Sequence, residues 1–150
     1  MGEGRNAAQR KADVLAALEK NRDLWLATAD RSGKPHLIAA SSWWDGTSLV
    51  IATRAGSPTA TNLASTGLAR LAAGSPDDVV MIDARVSEQV PVGEASRSMK
   101  AGFVKAVGWD PAEEGDDWTF FALMPLQIQA YRGYGELAGR NVMRDSRWLA

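Results

Sequence analysis

The spacing of apolar residues along this chain changes several times, and each change marks an element. Ala8, Ala12, Leu15 and Leu18 fall three or four apart, while Arg10, Lys11, Glu19 and Lys20 lie mostly on other faces. This predicts an amphipathic helix over 7–21. The short apolar run over 24–29 is closed by Asp30-Arg31-Ser32-Gly33-Lys34-Pro35, a turn between strands. A second strand over 37–44 meets Asp45-Gly46, a strong hairpin signal, and a third returns over 48–54. Ser57-Pro58 then opens a short helix that Gly67 closes: a hydroxyl cap, a proline at the first helical position and a glycine stop. Strands over 68–73 and 79–86 form a hairpin through Gly74-Ser75-Pro76-Asp77. Met99, Phe103 and Val107 mark a helix over 94–107, and 110–117 is an acidic loop. The strand over 118–131 carries Pro125, an edge, bulge or break. The tail over 133–150 holds two large apolar anchors, Met143 and Trp148.

About six short strands joined mostly by tight turns, with helices at the start, in the middle and after the fifth strand, predict a mainly β chain with flanking helices. Its sheet closes into an antiparallel barrel, which removes exposed strand edges. The regular strand–helix alternation of a doubly wound parallel sheet is not seen. At 150 residues the expectation is one domain over 1–150, its first helix within 1–22 and its tail over 133–150.

Composition narrows the chemistry. A formal net charge of −1 offers no basic excess for nucleic acid. The chain has no cysteine and one histidine, His36, which removes disulfides, thiolate sites and multi-histidine metal centres. His36, just after a turn proline, reads as a surface residue rather than a base. Glu113, Glu114, Asp116 and Asp117 lack the spacing of a calcium loop and read as a solvated loop. Neither a signal peptide nor a membrane span is legible, so a cytoplasmic protein is expected. No Gly-x-Ser-x-Gly elbow supports a hydrolase, and Gly133-Tyr134-Gly135 lacks the βαβ setting of a dinucleotide site.

One stretch does suggest chemistry. Thr53, Arg54, Ser57, Thr59, Thr61 and Asn62 crowd hydroxyls and a guanidinium around a helix start, where backbone N–H groups and the helix dipole favour an anion, most often a phosphate. Capping alone explains Ser57 and Pro58, but not two threonines and an asparagine in the next turn and a half. In Trp43-Trp44, strand alternation sends one ring inward and the other outward.

Helix, Leu-Trp-Leu-Ala-Thr-Ala-Asp, a Gly-Lys-Pro turn, a second strand, a Trp-Asp-Gly hairpin and Thr-Arg…Thr-Ala-Thr-Asn-Leu together resemble the flavin-binding split barrels of the pyridoxamine 5′-phosphate oxidase-like superfamily, including its flavin/deazaflavin oxidoreductase branches. The resemblance implies a homodimer with FMN or coenzyme F-420 at each subunit interface and no metal. Thr53, Arg54, Ser57, Thr59, Thr61 and Asn62 would then cradle the phosphate, and Ser41, Ser42 and Trp43 would line the ring. Several branches carry a lysine where this chain has Thr59, which weakens the charge match; Arg54, Arg97 or Lys100 could compensate. The tail, with Arg140, Arg144, Arg147 and Trp148, could reach a partner's site. The implied reaction is hydride transfer between the ring and a small conjugated or heterocyclic substrate, with water, Tyr131 or Tyr134 as proton donor. The alternative is a non-catalytic binding protein for flavin, haem or another planar ligand on the same barrel.

Overall fold

The computed structural model describes residues 4–150; the first three residues of the expected 1–22 helical segment lie outside it. The elements are α1 (Ala7–Lys20), β1 (Asp23–Ala29), β2 (Pro35–Trp44), β3 (Leu49–Arg54), α2 (Pro58–Thr66), β4 (Leu68–Ser75), β5 (Asp78–Pro91), α3 (Arg97–Val107), β6 (Trp118–Tyr131), β7 (Asn141–Arg144) and β8 (Arg147–Trp148), with three short 3-10 turns at Val92–Glu94, Pro111–Glu113 and Tyr134–Glu136. The strands run β3-β2-β1-β4-β5-β6, and pairing of β3 with β6 closes the six-stranded antiparallel barrel. This is the expected fold. No helix among the described residues is long and apolar enough to cross a membrane.

The closure is uneven. β3 pairs with β6 over six residues, from Leu49↔Leu123 to Arg54↔Trp118. It pairs with β2 only at Ser42↔Ile51, Trp43↔Val50 and Trp44↔Leu49. The stretch of β2 before Ser42 pairs with β1 on one side and has no strand on the other. The barrel is therefore split between β2 and β3.

Leu24, Leu26, Leu49, Ile51, Leu71, Ile82, Phe121, Leu123 and Ile128 fill the interior. Leu18 of α1 and Leu63 of α2 pack on this core from outside the sheet. A second core lies outside the barrel, where Phe103 and Val107 of α3 cover Val50, Phe120 and Ala122. β3 is buried on both faces for this reason and reads as a continuous apolar run.

Several details differ from the sequence expectation. β5 continues to Pro91 rather than stopping near residue 86, because its polar end pairs with Ala122, Phe121, Phe120 and Thr119 after a register shift beyond Val86. α3 begins at Arg97, with Ser96 as its cap, after a 3-10 turn takes up Val92–Glu94. Pro125 sits at a bulge, since Asp83 pairs with Gln127 and Ala84 with Pro125. The tail folds into the β7–β8 hairpin, and Trp148 packs on the barrel core of its own chain.

The buried face of α1 is Arg10, Val14 and Leu18, not the Ala8–Ala12–Leu15–Leu18 stripe. Arg10 is 4% exposed and donates to the carbonyls of Arg5, Ala130, Glu136 and Ala138 at 2.8–3.1 Å. Beside it, the buried Glu136 carboxylate accepts from the Arg5 guanidinium at 2.7 Å and from the backbone N–H groups of Arg5 and Arg132. These bonds tie the start of the chain to the end of β6 and the turn that follows it. Alanine at 12 offers less surface to bury than Val14, so the arginine's multiple hydrogen bonds decide which face turns inward.

The Arg5 guanidinium holds Glu136 well below its ordinary value of 4.5, at about 2. A depressed carboxyl contributes stability that is fully present above about pH 4.5 and lost as pH falls through about 2. Glu136→Ala should cost about 3 kcal/mol in urea unfolding at pH 7. The difference from the parent protein should shrink as the pH is lowered below 4.5.

Candidate functional site

The hydroxyl-rich helix start stands beside the split. β3 ends at Arg54, Ala55-Gly56 turns the chain, and Ser57 caps α2 with extended backbone, its Oγ accepting from the Ala60 N–H at 3.1 Å. Thr53 Oγ1 lies 2.9 Å from the same Oγ, so β3 and α2 share one hydroxyl pair. The Ser57 carbonyl accepts from the Thr61 N–H. Pro58 has no N–H, which leaves the Thr59 N–H in the first turn.

The cation of the site already has an internal counterion. Arg54 Nη1 donates to Asp117 Oδ1 at 2.8 Å and Oδ2 at 3.1 Å, and the guanidinium lies 4.9 Å over the Trp118 ring. The Asp117 carbonyl accepts from the Ala55 N–H at 2.7 Å, pinning the end of the acidic loop to the turn. Both side chains of the ion pair are about half exposed, at 52% each. Such a pair is worth about 0–1 kcal/mol and can be exchanged for an incoming anion.

The other expected phosphate residues divide by helix face. Thr61 is exposed and Ser57 half-buried, and both stand near Arg54 in sequence. Thr59 and Asn62, at 1% and 6% exposure, are buried in the fold, and Asn62 Nδ2 donates to Thr28 Oγ1 of β1. The Asn62 side chain joins α2 to the barrel. Arg97 and Lys100 lie in the first turn of α3, whose neighbours Ser96 and Met99 line a recess with Asp45 at the β2–β3 hairpin, the far end of β3 from Arg54.

The three expected ring residues also separate. Ser41 Oγ donates to Asp23 Oδ1 and accepts from the Trp109 indole N–H, both at 3.2 Å. Trp43 packs in the outer core beneath α3, whereas Trp44 packs on the barrel core, as strand alternation requires. Ser42 is 3% exposed, and its hydroxyl has no hydrogen-bond partner. Leaving a buried hydroxyl unmatched costs about 1–3 kcal/mol. Ser42, Trp43 and Trp44 line a groove of about 720 Å³ between the end of α1 and α3.

Trp118 and Trp109 are not singled out by the sequence, and Asp117 reads there only as part of a solvated acidic loop. Trp109 makes edge contacts with Phe103 and Trp118, forming an aromatic cover from α3 to β6. Asp117 and Trp118 follow an acidic loop, and only the antiparallel register Arg54↔Trp118 brings them to the site. The candidate proton donors Tyr131 and Tyr134 lie at or beyond the other end of β6, which starts at Trp118 opposite Arg54. Among the described residues no group of three or more His, Cys, Asp or Glu side chains could hold a metal ion.

A six-stranded antiparallel barrel, split beside a cationic helix start, defines a split barrel of the flavin-binding type. The chain belongs to the pyridoxamine 5′-phosphate oxidase family, whose model matches residues 11–131. Solved structures with the same fold include an F-420 reductase, at 18% identity and TM-score 0.62 over 75% of this chain and 93% of that one. A pyridoxamine 5′-phosphate oxidase-related, FMN-binding protein from Nostoc punctiforme matches at 18% identity and TM-score 0.54, over 90% and 83%. A heme binding protein from Mycobacterium smegmatis matches at 20% identity and TM-score 0.65, over 88% of this chain and 56% of that one. A search of curated proteins finds no match.

Gly102 sets how closely α3 sits on β2, since a Cβ there would lie 2.3 Å from Trp43 Cη2. Alanine favours a helix over glycine by about 1 kcal/mol, whereas overpacking costs about 1–3 kcal/mol. The steric term should win: Gly102→Ala should lower stability by about 1–2 kcal/mol in urea unfolding and change the near-UV circular dichroism.

Proposed function

We propose that this chain is a flavin- or deazaflavin-dependent oxidoreductase that holds FMN or coenzyme F-420 at the split between β2 and β3. The carrying observation is the coincidence of three features: a bare backbone edge on β2, a capped helix start, and a half-exposed guanidinium held by a surface ion pair and the face of Trp118. The donor set fits a single anionic group. Arg54 would leave Asp117 for the phosphate, with the Ser57 and Thr61 hydroxyls beside it and Thr53 holding Ser57 in place. The unpaired edge of β2 offers alternating N–H and C=O groups to the polar rim of a heteroaromatic ring. When bound, such a ring supplies hydride transfer to a small conjugated or heterocyclic substrate. The chain's own task is then to anchor the tail, orient the ring and shield the reacting face.

Family membership and the FMN-binding and F-420 reductase neighbours support this reading. A second reading, ligand binding without turnover, is favoured by the Asp117 counterion that already neutralises Arg54. For the partner we propose a second copy of the chain. Trp25 and Leu37 are 54% and 64% exposed on the outer face of β1 and β2. With Ala27, Ala72 and Met81 they line a shallow, largely apolar depression of about 230 Å³. An apolar surface of this kind supports an interaction site there.

Protein purified from a host that makes both cofactors should carry a flavin or deazaflavin absorbance band, with the chromophore identified by mass spectrometry. Arg54→Ala should weaken cofactor binding about tenfold or more, and Asp117→Asn should tighten it about threefold to fivefold by removing the competing carboxylate. A colourless protein that takes up neither cofactor on titration overturns the proposal. Bound cofactor with no turnover of any acceptor selects the second reading. Light scattering should give a dimer mass for the parent and a monomer mass for Trp25→Glu/Leu37→Glu.

A further inference from the structure

We propose that the groove between the end of α1, the hairpin end of β2 and α3 is a binding site for a small aromatic carboxylate. Its volume, about 720 Å³, is that of a small-molecule site. The proposal needs no bound cofactor. Ser42, in the groove lining, pairs with Ile51, three residues along β3 from Arg54 and so about 10 Å from it at roughly 3.3 Å per residue.

The inner wall carries the first argument. Ile38, Ala40 and Trp44 alternate along β2 and pack on the barrel core, and Ser42 occupies the same face between them. An apolar side chain would serve packing better there. The hydroxyl is buried, has no partner, and belongs to a residue that lines the groove. With its Oγ on the core face and closed to solvent, Ser42 shapes the inner wall and does not itself contact the ligand.

Charge supplies the second argument. Arg22, between α1 and β1, and Lys105 of α3 line the groove from opposite sides, and neither makes an ion pair among the described residues. Arg22 Nη1 lies 3.3 Å from the position a Cβ would take on Gly108, so its guanidinium sits against the C-terminal end of α3. The carbonyl ends of that helix favour a cation there. Glu19 is the one acid in the lining, leaving a formal charge of +1. This balance suits a monoanion, and a phosphate dianion would leave an unmatched negative charge beside Glu19.

The walls specify the body of the ligand. Trp43 is held against Gly102 with no room for a Cβ, and Trp44 is anchored in the core, so two indoles stand fixed around the groove. Fixed indoles favour an aromatic body over a flexible chain, through stacked or edge contacts.

Isothermal titration calorimetry of the full chain with 2-naphthoate tests the site, with 2-naphthamide and 2-naphthyl phosphate as comparisons. The expected result is naphthoate binding with a Kd of about 0.1–1 mM, and at least about tenfold weaker binding of the amide and the phosphate. Arg22→Gln/Lys105→Gln, two exposed positions, should abolish detectable binding while circular dichroism stays unchanged. Arg54→Ala should leave binding unchanged, which separates this site from the proposed cofactor cradle. Absence of naphthoate binding, equal binding of the amide or phosphate, persistence in the double variant, or loss in Arg54→Ala each overturns the proposal.

Discussion

β6 takes β3 as a partner over the whole length of β3, and the rest of the molecule is arranged around that pairing. On its other edge β3 meets β2 only at three residues beside the hairpin, and most of β2 is left with a bare edge. Unpaired backbone groups in a closed barrel are normally avoided, because each is a hydrogen bond not made. Here the gap lies beside the start of α2, so the unpaired edge and the guanidinium of Arg54 stand together. The register that closes the barrel also carries Asp117 and Trp118 to Arg54. The β3–β6 register thus places the internal counterion beside the opening left between β2 and β3.

The outer core fixes the geometry on the other side of the same strands. α3 lies on β2 and β3 through Phe103, Val107 and the contact between Gly102 and Trp43. Trp109 and Trp118 extend that packing toward Arg54, and the Trp109 indole donates to Ser41. Because Trp43 and Trp44 face opposite ways, this short stretch of β2 belongs to two cores and to the groove at once. A change at Gly102 would be felt in packing, in the groove wall and in the setting of Ser42.

Much of this was legible from residue order. The six barrel strands, the Asp45-Gly46 hairpin, the Ser57–Gly67 helix with its caps and an irregularity at Pro125 follow from local chemistry: alternation, glycine and proline at turns, hydroxyls at helix starts. Helix ends and turns are decided within a few residues, and so can be read locally. The anion cradle was legible as a composition but not as a geometry. Nothing local shows that Thr59 and Asn62 turn toward the barrel while Thr61 faces solvent, nor that Asp117, 63 residues after Arg54, pairs with it.

The buried arginine of α1 makes the same division. By itself the sequence determined an amphipathic helix near the start, an antiparallel barrel and a concentration of hydroxyls and one guanidinium after β3. It misplaced the buried face of α1, because the weight of Arg10 lies in carbonyls contributed by residues some 120 positions away. Tertiary structure alone decided which faces are buried, where β5 stops, how the tail folds back, and which charges meet. The physical reason is common to all four: each depends on a partner brought near by barrel closure, whereas element type depends on neighbours already adjacent along the chain.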